Sequence, residues 1–338
     1  MALVSLNDNL NCTQEIPSVE VVFHDMSRAG FVLAGIVIVL ASFTFLIYID
    51  EVLFLRKVPQ LPSERKARYY FLLGLYPVFS WTSVLGLFIP RASILAQLVA
   101  ICYLAICVYQ FFELIVDYFG GKKKLFNMLP DHGIPLKSVP LGCFLCCFQD
   151  HAKLTRGNFL RMKKLVLQMA ILHPFLMFVA AVLEANGSYK PGKIALDSAY
   201  LYITSLAGAS TALAVWGLVM LYRLAKEPLS NYHITAKFFS TQVVLVLSNV
   251  QGMILILLAG NNVIKCIAPL VTETRGIELH HLLLTFEMFV VSVVARRYYR
   301  KVADLRHVIL PRVSDTDQSC DECSDSLVPC SEQYASCN

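Results

Sequence analysis

Seven stretches of about 20 residues carry almost no charge, and that constrains the fold more than any other feature of the sequence. A helix needs about 20 apolar residues to cross roughly 30 Å of hydrocarbon. Windows free of Asp, Glu, Lys and Arg occur at 29–49, 69–89, 92–112, 165–183, 198–222 and 238–264, with a seventh at 276–295 interrupted by Glu278 and Glu287. Composition agrees: 57% of residues are hydrophobic and only 16% charged, where soluble domains run at about 45–50% and about 25%. The predicted fold is an all-α membrane protein of seven transmembrane helices. The first window is too long for the apolar core of a signal peptide and no basic segment precedes it, so it is expected to remain as a span.

Orientation follows from the loops. One alternate set holds 23 of the 29 Lys and Arg, which predicts that set to be cytoplasmic. The two sequons, at Asn11 and Asn186, fall on the opposite side, where glycans are added. Both signals put the N-terminus outside and the C-terminus inside. The organisation expected is an extracellular tail over 1–28, a helical domain over 29–295 with a Cys-containing cytoplasmic loop over 118–164, and a cytoplasmic segment over 296–338. That last segment is basic at first and then an acidic, Cys-rich and disordered tail. No two-halves repeat of the kind common in secondary transporters is visible. The basic residues lie in blocks between spans and form no domain-wide face, so nucleic acid is not an expected partner.

Candidate functional residues are the polar ones inside the spans. Glu287 sits mid-span, where a carboxylate costs about 2.5–3.5 kcal/mol to insert and so needs a partner or a wet cavity. His280, seven residues earlier, shares its face with Leu284 between them. Gln242 and Asn249 share a face of span six while Gln251 points the other way; span four carries Gln168 and the His173-Pro174 pair, whose proline frees the carbonyl of Ala170. Such groups either glue helices together or line a polar interior, and both readings stand at this stage.

Outside, Cys12 and Cys266 are available for a disulfide, since that side is oxidising. Inside, Cys143, Cys146 and Cys147 form an apolar thiol cluster in a basic juxtamembrane loop. Four zinc ligands at matching spacing are lacking, so S-acylation (palmitoylation) is expected there and no metal. Neither a zinc-protease motif nor a nucleophile elbow nor a phosphate loop occurs; no enzyme activity and no cofactor are expected. Three classes fit a chain of this kind: a transporter, a receptor, and a lipid-sensing or trafficking scaffold. A rhodopsin-like receptor fits less well, because Asp117-Tyr118-Phe119 lacks the Arg of its third-span motif and span seven lacks Asn-Pro-x-x-Tyr.

Several runs in order resemble the organic solute transporter alpha family. They are 49–55 (Ile-Asp-Glu-Val-Leu-Phe-Leu), 88–91 (Phe-Ile-Pro-Arg), 116–122 (Val-Asp-Tyr-Phe-Gly-Gly-Lys), the cysteine cluster, Lys237-Phe238 with Gln251 downstream, 281–287 (His-Leu-Leu-Leu-Thr-Phe-Glu) and 297–301 (Arg-Tyr-Tyr-Arg-Lys). The chain departs from the vertebrate pattern in having three cysteines where those members carry a longer run. The resemblance implies facilitated, gradient-driven movement of bile acids, conjugated steroids and related amphipathic organic anions, by a heterodimer with a single-span beta subunit. It also implies contact with membrane lipids, with a second copy of the chain left open as a partner. Residence in the cell membrane as a multi-pass protein is expected, and the same topology suits the endoplasmic reticulum or an endosome. Substrate-binding candidates under this reading are Gln168, His173, Lys237, Asn249, Gln251 and Glu287.

Overall fold

The computed structural model describes residues 19–24, 28–59, 61–129, 133–138, 140, 151–189, 198–261, 263–264 and 272–301. The short helix α1 (Val19–His24) precedes α2 (Arg28–Arg56), which forms the first span. The second span is α3 (Ser63–Leu73) followed by α4 (Leu75–Phe88), the third is α5 (Ser93–Tyr118), and α6 (Lys122–Met128) is a short helix after it. A two-stranded antiparallel ribbon, β1 (Gly133–Pro135) and β2 (His151–Lys153), leads into α7 (Arg156–Ala185) and α8 (Ala199–Ala225), spans four and five. Span six is α9 (Ile234–Val246), a π-helical turn (Leu247–Gln251) and α10 (Gly252–Gly260) in one run, and span seven is α11 (Thr272–Arg300). Among the described residues, seven helical segments are long and apolar enough to cross a membrane.

The helices differ from the charge-free windows mainly at their ends, and the reason is physical. Arg56, Arg156 and Arg300 belong to their helices because long basic side chains can lie along an apolar helix with their charge at the interface. Span six begins at Ile234, taking in Lys237, which a charge-free window excludes, and ends at Gly260 instead of residue 264. The break at Gly74 has a cause in Pro77, which cannot donate to the carbonyl of Leu73. Beside it the carbonyl of Phe71 accepts from Tyr103 Oη at 3.0 Å and from Cys107 Sγ at 3.3 Å. Pro174 leaves α7 unbroken.

Packing is graded from inside to outside. The pair α7 and α8, the pair α4 and α11, and α5 against both α4 and α7 make the main contacts, with α2 held against α4 and α11. Phe79, Leu104, Phe111, Phe112 and Met288 are fully buried between them. The outer surface is apolar: Val32 on α2 is 64% exposed, Ile171 on α7 66% and Phe286 on α11 56%. Exposed side chains of that size on nearly every span belong to a surface solvated by lipid, since helices that satisfy their own backbone need no water.

Candidate functional site

The polar residues gather in three places, and the densest is at one end of the bundle, where α2, α5, α8 and α11 finish and α3, α7 and α9 begin. Lys237 on α9 is completely buried there. Its Nζ lies 5.4, 5.2 and 5.3 Å from the ring centroids of Tyr69, Tyr118 and Tyr299, a cage drawn from α3, α5 and α11. Lys237 Nζ donates to Tyr118 Oη at 2.9 Å, and Tyr118 Oη is hydrogen-bonded to Tyr69 Oη at 2.6 Å. Ion pairs surround the cage. Arg65 Nε donates to Asp117 Oδ2 at 2.6 Å while its guanidinium covers Tyr118 at 5.1 Å. His233 adopts a left-handed backbone (φ 50°) at the start of α9, and its neighbour Tyr232 stacks on Tyr118 at 4.7 Å.

The same end closes α2 on α11. Arg300 Nε donates to Glu51 Oε1 at 2.6 Å and its Nη2 to Asp50. Arg296 pairs with Asp50 at 2.5 Å and with Glu51 at 3.3 Å, and Glu51 is only 1% exposed. Thus the runs 49–55, 116–122, Lys237-Phe238 and 297–301, scattered along the sequence, meet in one layer.

A second place lies between α7 and α8. Gln168 Nε2 donates to the carbonyl of Ser210 at 2.8 Å, and Ser210 Oγ donates back to Gln168 Oε1 at 2.9 Å. One turn on, His173 Nε2 and Thr211 Oγ1 lie 3.2 Å apart, with His173 buried. These groups serve each other across the helix pair.

The third place is the seam of span six with α11. Gln251, closing the π turn, donates from Nε2 to Glu287 Oε1 at 3.2 Å. The inserted residue of a π turn changes the register of the helix, which is how Gln251 comes to face α11. Asn249 turns back on its own helix, donating to the carbonyl of Leu245 at 2.8 Å. Nearer the start of α11, His280 and His281 border a cavity of ≈ 20 Å³, with Phe79, Gln97, Ser248 and Leu284 also in its wall. That volume holds one water-sized group. Glycines make room for both rings: a Cβ on Gly86 would stand 2.5 Å from His281 Nε2, and one on Gly252 3.3 Å from His280 Nε2. Five buried atoms on span six and α11, Gln242 Nε2, Gln251 Oε1, His280 Nδ1, His281 Nδ1 and Glu287 Oε2, have no hydrogen-bond partner among the described residues.

The six candidates therefore form no single cluster: Gln168 and His173 pair with α8, Lys237 is caged, Asn249 bonds its own helix, and Gln251 meets Glu287. Sequence reasoning missed the tyrosines of the cage and the pairing of Asp50 and Glu51 with α11. It also missed His281, although two consecutive histidines in an apolar span were a signal that could have found it. Asn186 is exposed at the end of α7, its Nδ2 donating to Ser188 Oγ at 3.1 Å. Asn11, Cys12, Cys143, Cys146, Cys147 and Cys266 lie outside the described residues. Among the described residues no group of three or more His, Cys, Asp or Glu could hold a metal ion.

Comparison with known proteins bears on the whole bundle. The family model described as Organic solute transporter Ostalpha matches residues 31–303, from the first span to just past the seventh. The organic solute transporter subunit alpha of Leucoraja erinaceus is 32% identical over 282 residues, covering 82% of this chain and 79% of its own length. That of Danio rerio is 27% identical over 290 residues, covering 86% and 88%, and that of Homo sapiens is 29% identical over 298 residues, covering 86% and 85%. No solved structure matches the chain. With a match that takes in all seven spans and the layer of motifs at their charged end, the chain belongs to the organic solute transporter alpha family.

Proposed function

We propose that this chain is the alpha subunit of a facilitative transporter that moves bile acids, conjugated steroids and related amphipathic organic anions. It works as a heterodimer with a single-span beta subunit in the cell membrane. The observation that carries this reading is the family match over residues 31–303. The chemistry of the bundle is compatible. A steroid conjugate needs apolar surface and a few hydrogen-bonding groups, and it partitions into a leaflet, so a route along the lipid-facing seam of span six and α11 suits it. There Gln251 and Glu287 sit half-buried beside the exposed Val250, Met253 and Phe286. Gln168 and His173 would act from the α7–α8 pair and Asn249 from span six. Lys237 reaches a substrate only when its tyrosine rings part.

The charged end is assigned to the cytoplasm by the loop-charge bias, with the N-terminus, Cys12, Cys266 and glycans on Asn11 and Asn186 outside. Acyl chains on Cys143, Cys146 and Cys147 would hold the cytoplasmic loop to the bilayer, at about 0.8 kcal/mol per buried methylene.

The test is expression with and without a candidate beta subunit, measuring sodium-independent uptake and efflux of labelled steroid sulfate and conjugated bile acid. Flux in both directions only with both subunits is expected, and it should fall when Gln251 and Glu287 are both replaced by Ala while surface glycosylation persists. A glycosylated surface complex that moves neither substrate would overturn the reading.

A further inference from the structure

We infer that the surface built by α6 and the first turns of α7 binds the headgroups of anionic phospholipids. After α5 the chain turns sharply through Gly120 and Gly121, whose φ values of 79° and 99° lie in the region that glycine alone visits freely. The turn seats α6 with Leu125 and Leu129 buried, and Phe126 packs edge-on against Phe159 of α7, the ring centroids 5.6 Å apart. Phe159 in turn packs on Phe112 of α5 at 5.7 Å, so α6 is fixed beside the start of α7.

What this arrangement leaves outside is basic. Lys122, Lys123 and Lys124 on α6, Lys153 on β2, and Arg156, Arg161 and Lys164 on α7 are all exposed. Segments 118–130 and 151–183 contain no Asp or Glu. The acids at the adjoining end of α5 are already engaged, Glu113 with Lys163 at 2.6 Å and Asp117 with Arg65 at 2.6 Å. Seven cations thus stand uncompensated by the α5 acids, at the level where two spans end. Leu160 at 50% exposure and Met128 at 44% stand among them. Cations and apolar side chains presented together suit the headgroup region of a bilayer, where a soluble polyanion would gain from the charges alone. A cluster of four to eight Lys and Arg beside a cytoplasmic span end is of the size that holds anionic lipids.

The position of the patch gives it a role. Pro135 pairs with His151 in the β ribbon, and in sequence the acylation candidates Cys143, Cys146 and Cys147 lie between these two residues. One acyl chain gives only marginal membrane binding, and a polybasic surface is a second signal that makes anchoring stable. This inference rests on the proposed function for its cytoplasmic leaflet, but not for the contact itself.

The experiment reconstitutes the full chain with its beta partner into phosphatidylcholine vesicles containing phosphatidylserine, and compares association of spin-labelled phosphatidylserine and phosphatidylcholine. The chain should prefer phosphatidylserine, less so at high salt. A variant carrying Lys122→Gln, Lys123→Gln, Lys124→Gln, Arg156→Gln and Arg161→Gln should lose at least about fivefold of that preference, the effect of roughly one juxtamembrane cation. If that variant does not fold, the single change Lys123→Glu should lower the preference in the same direction. The pair Arg56→Gln and Lys57→Gln, exposed cations at the end of α2, should keep it. An unchanged preference in the α6–α7 variants, or an equal loss in the α2 pair, would overturn the inference. So would displacement by inorganic phosphate at matched ionic strength, which would mark a site for free phosphate. Because the vesicles carry phosphatidylserine in both leaflets, the result does not depend on orientation. A failure of flux, or labelling of α6 from outside intact cells, would count against the proposed function alone.

Discussion

At the charged end of the bundle and in the seam of span six with α11, polar side chains are paired to different degrees. At the end, Asp50 and Glu51 close on Arg296 and Arg300, Asp117 on Arg65, and Lys237 on three tyrosine rings. On span six and α11 a single bond joins Gln251 to Glu287, and five buried atoms are left without hydrogen-bond partners among the described residues, while at the end Glu51 Oε2 and Tyr299 Oη are left so beside groups that are multiply paired. Water and lipid headgroups compete for exposed charges at a span end, so the pairs that last are the multiply bonded, partly buried ones. Deep in a bilayer nothing competes, and an unpaired polar atom is costly, so under the proposed function these groups are where a substrate would find hydrogen-bonding partners. The end ties several helices together, while the seam is joined by a single polar contact between Gln251 and Glu287.

The sharpest way to break that contrast is Glu51→Ala. It takes the buried acceptor from Arg296 and Arg300 and leaves them only the half-exposed Asp50, and hydrogen bonds to charged groups contribute about 1.5–3 kcal/mol each. Thermal unfolding of the solubilised full chain should show a large fall in Tm, with Glu287→Ala costing clearly less because Glu287 is half-buried and singly bonded. Equal losses would mean that the seam is as structural as the end.

A smaller effect is expected from Gly86→Ala, which sharpens the comparison by crowding His281 from α4, beside the cavity next to the seam. The new methyl would stand 2.5 Å from His281 Nε2, so the ring must move into the neighbouring cavity or the helices must part. Overpacking of this kind costs about 1–3 kcal/mol. Adding His281→Ala should restore the Tm if the clash is the cause, and failure to restore it would show that α4 and α11 are held apart by something else.

These sites also show where sequence reading stops. The seven spans were legible because each buries or exposes an apolar run long enough to be seen by itself. Glu287, Gln251 and His173 were legible as anomalies within such runs. The pairing of Glu51 with Arg300 was not, because 249 residues separate them and both look like ordinary charges flanking a span. Lys237 stands among the substrate-binding candidates, and nothing near it in the sequence shows that the tyrosines that bury it come from three other helices. Nothing in Leu-Ser-Asn-Val-Gln announces a π turn, so Gln251 was placed on the face away from Asn249 without a view of what it meets.

The smallest effect separates glue from site. Between α7 and α8, Gln168 and Ser210 exchange two hydrogen bonds and leave no orphan atom at either residue. A double-mutant cycle with Gln168→Leu and Ser210→Ala should return a coupling of about 0.6–1.7 kcal/mol, the range for polar contacts between membrane helices. It should be read from the Tm, with flux of steroid sulfate falling no further than stability does. The serine carbonyl remains in the Ser210→Ala variant, so one of the two bonds survives and the coupling belongs at the lower end. A coupling near zero together with a selective loss of flux would place Gln168 on the substrate route, and the α7–α8 pair would then belong with the seam instead of with the charged end.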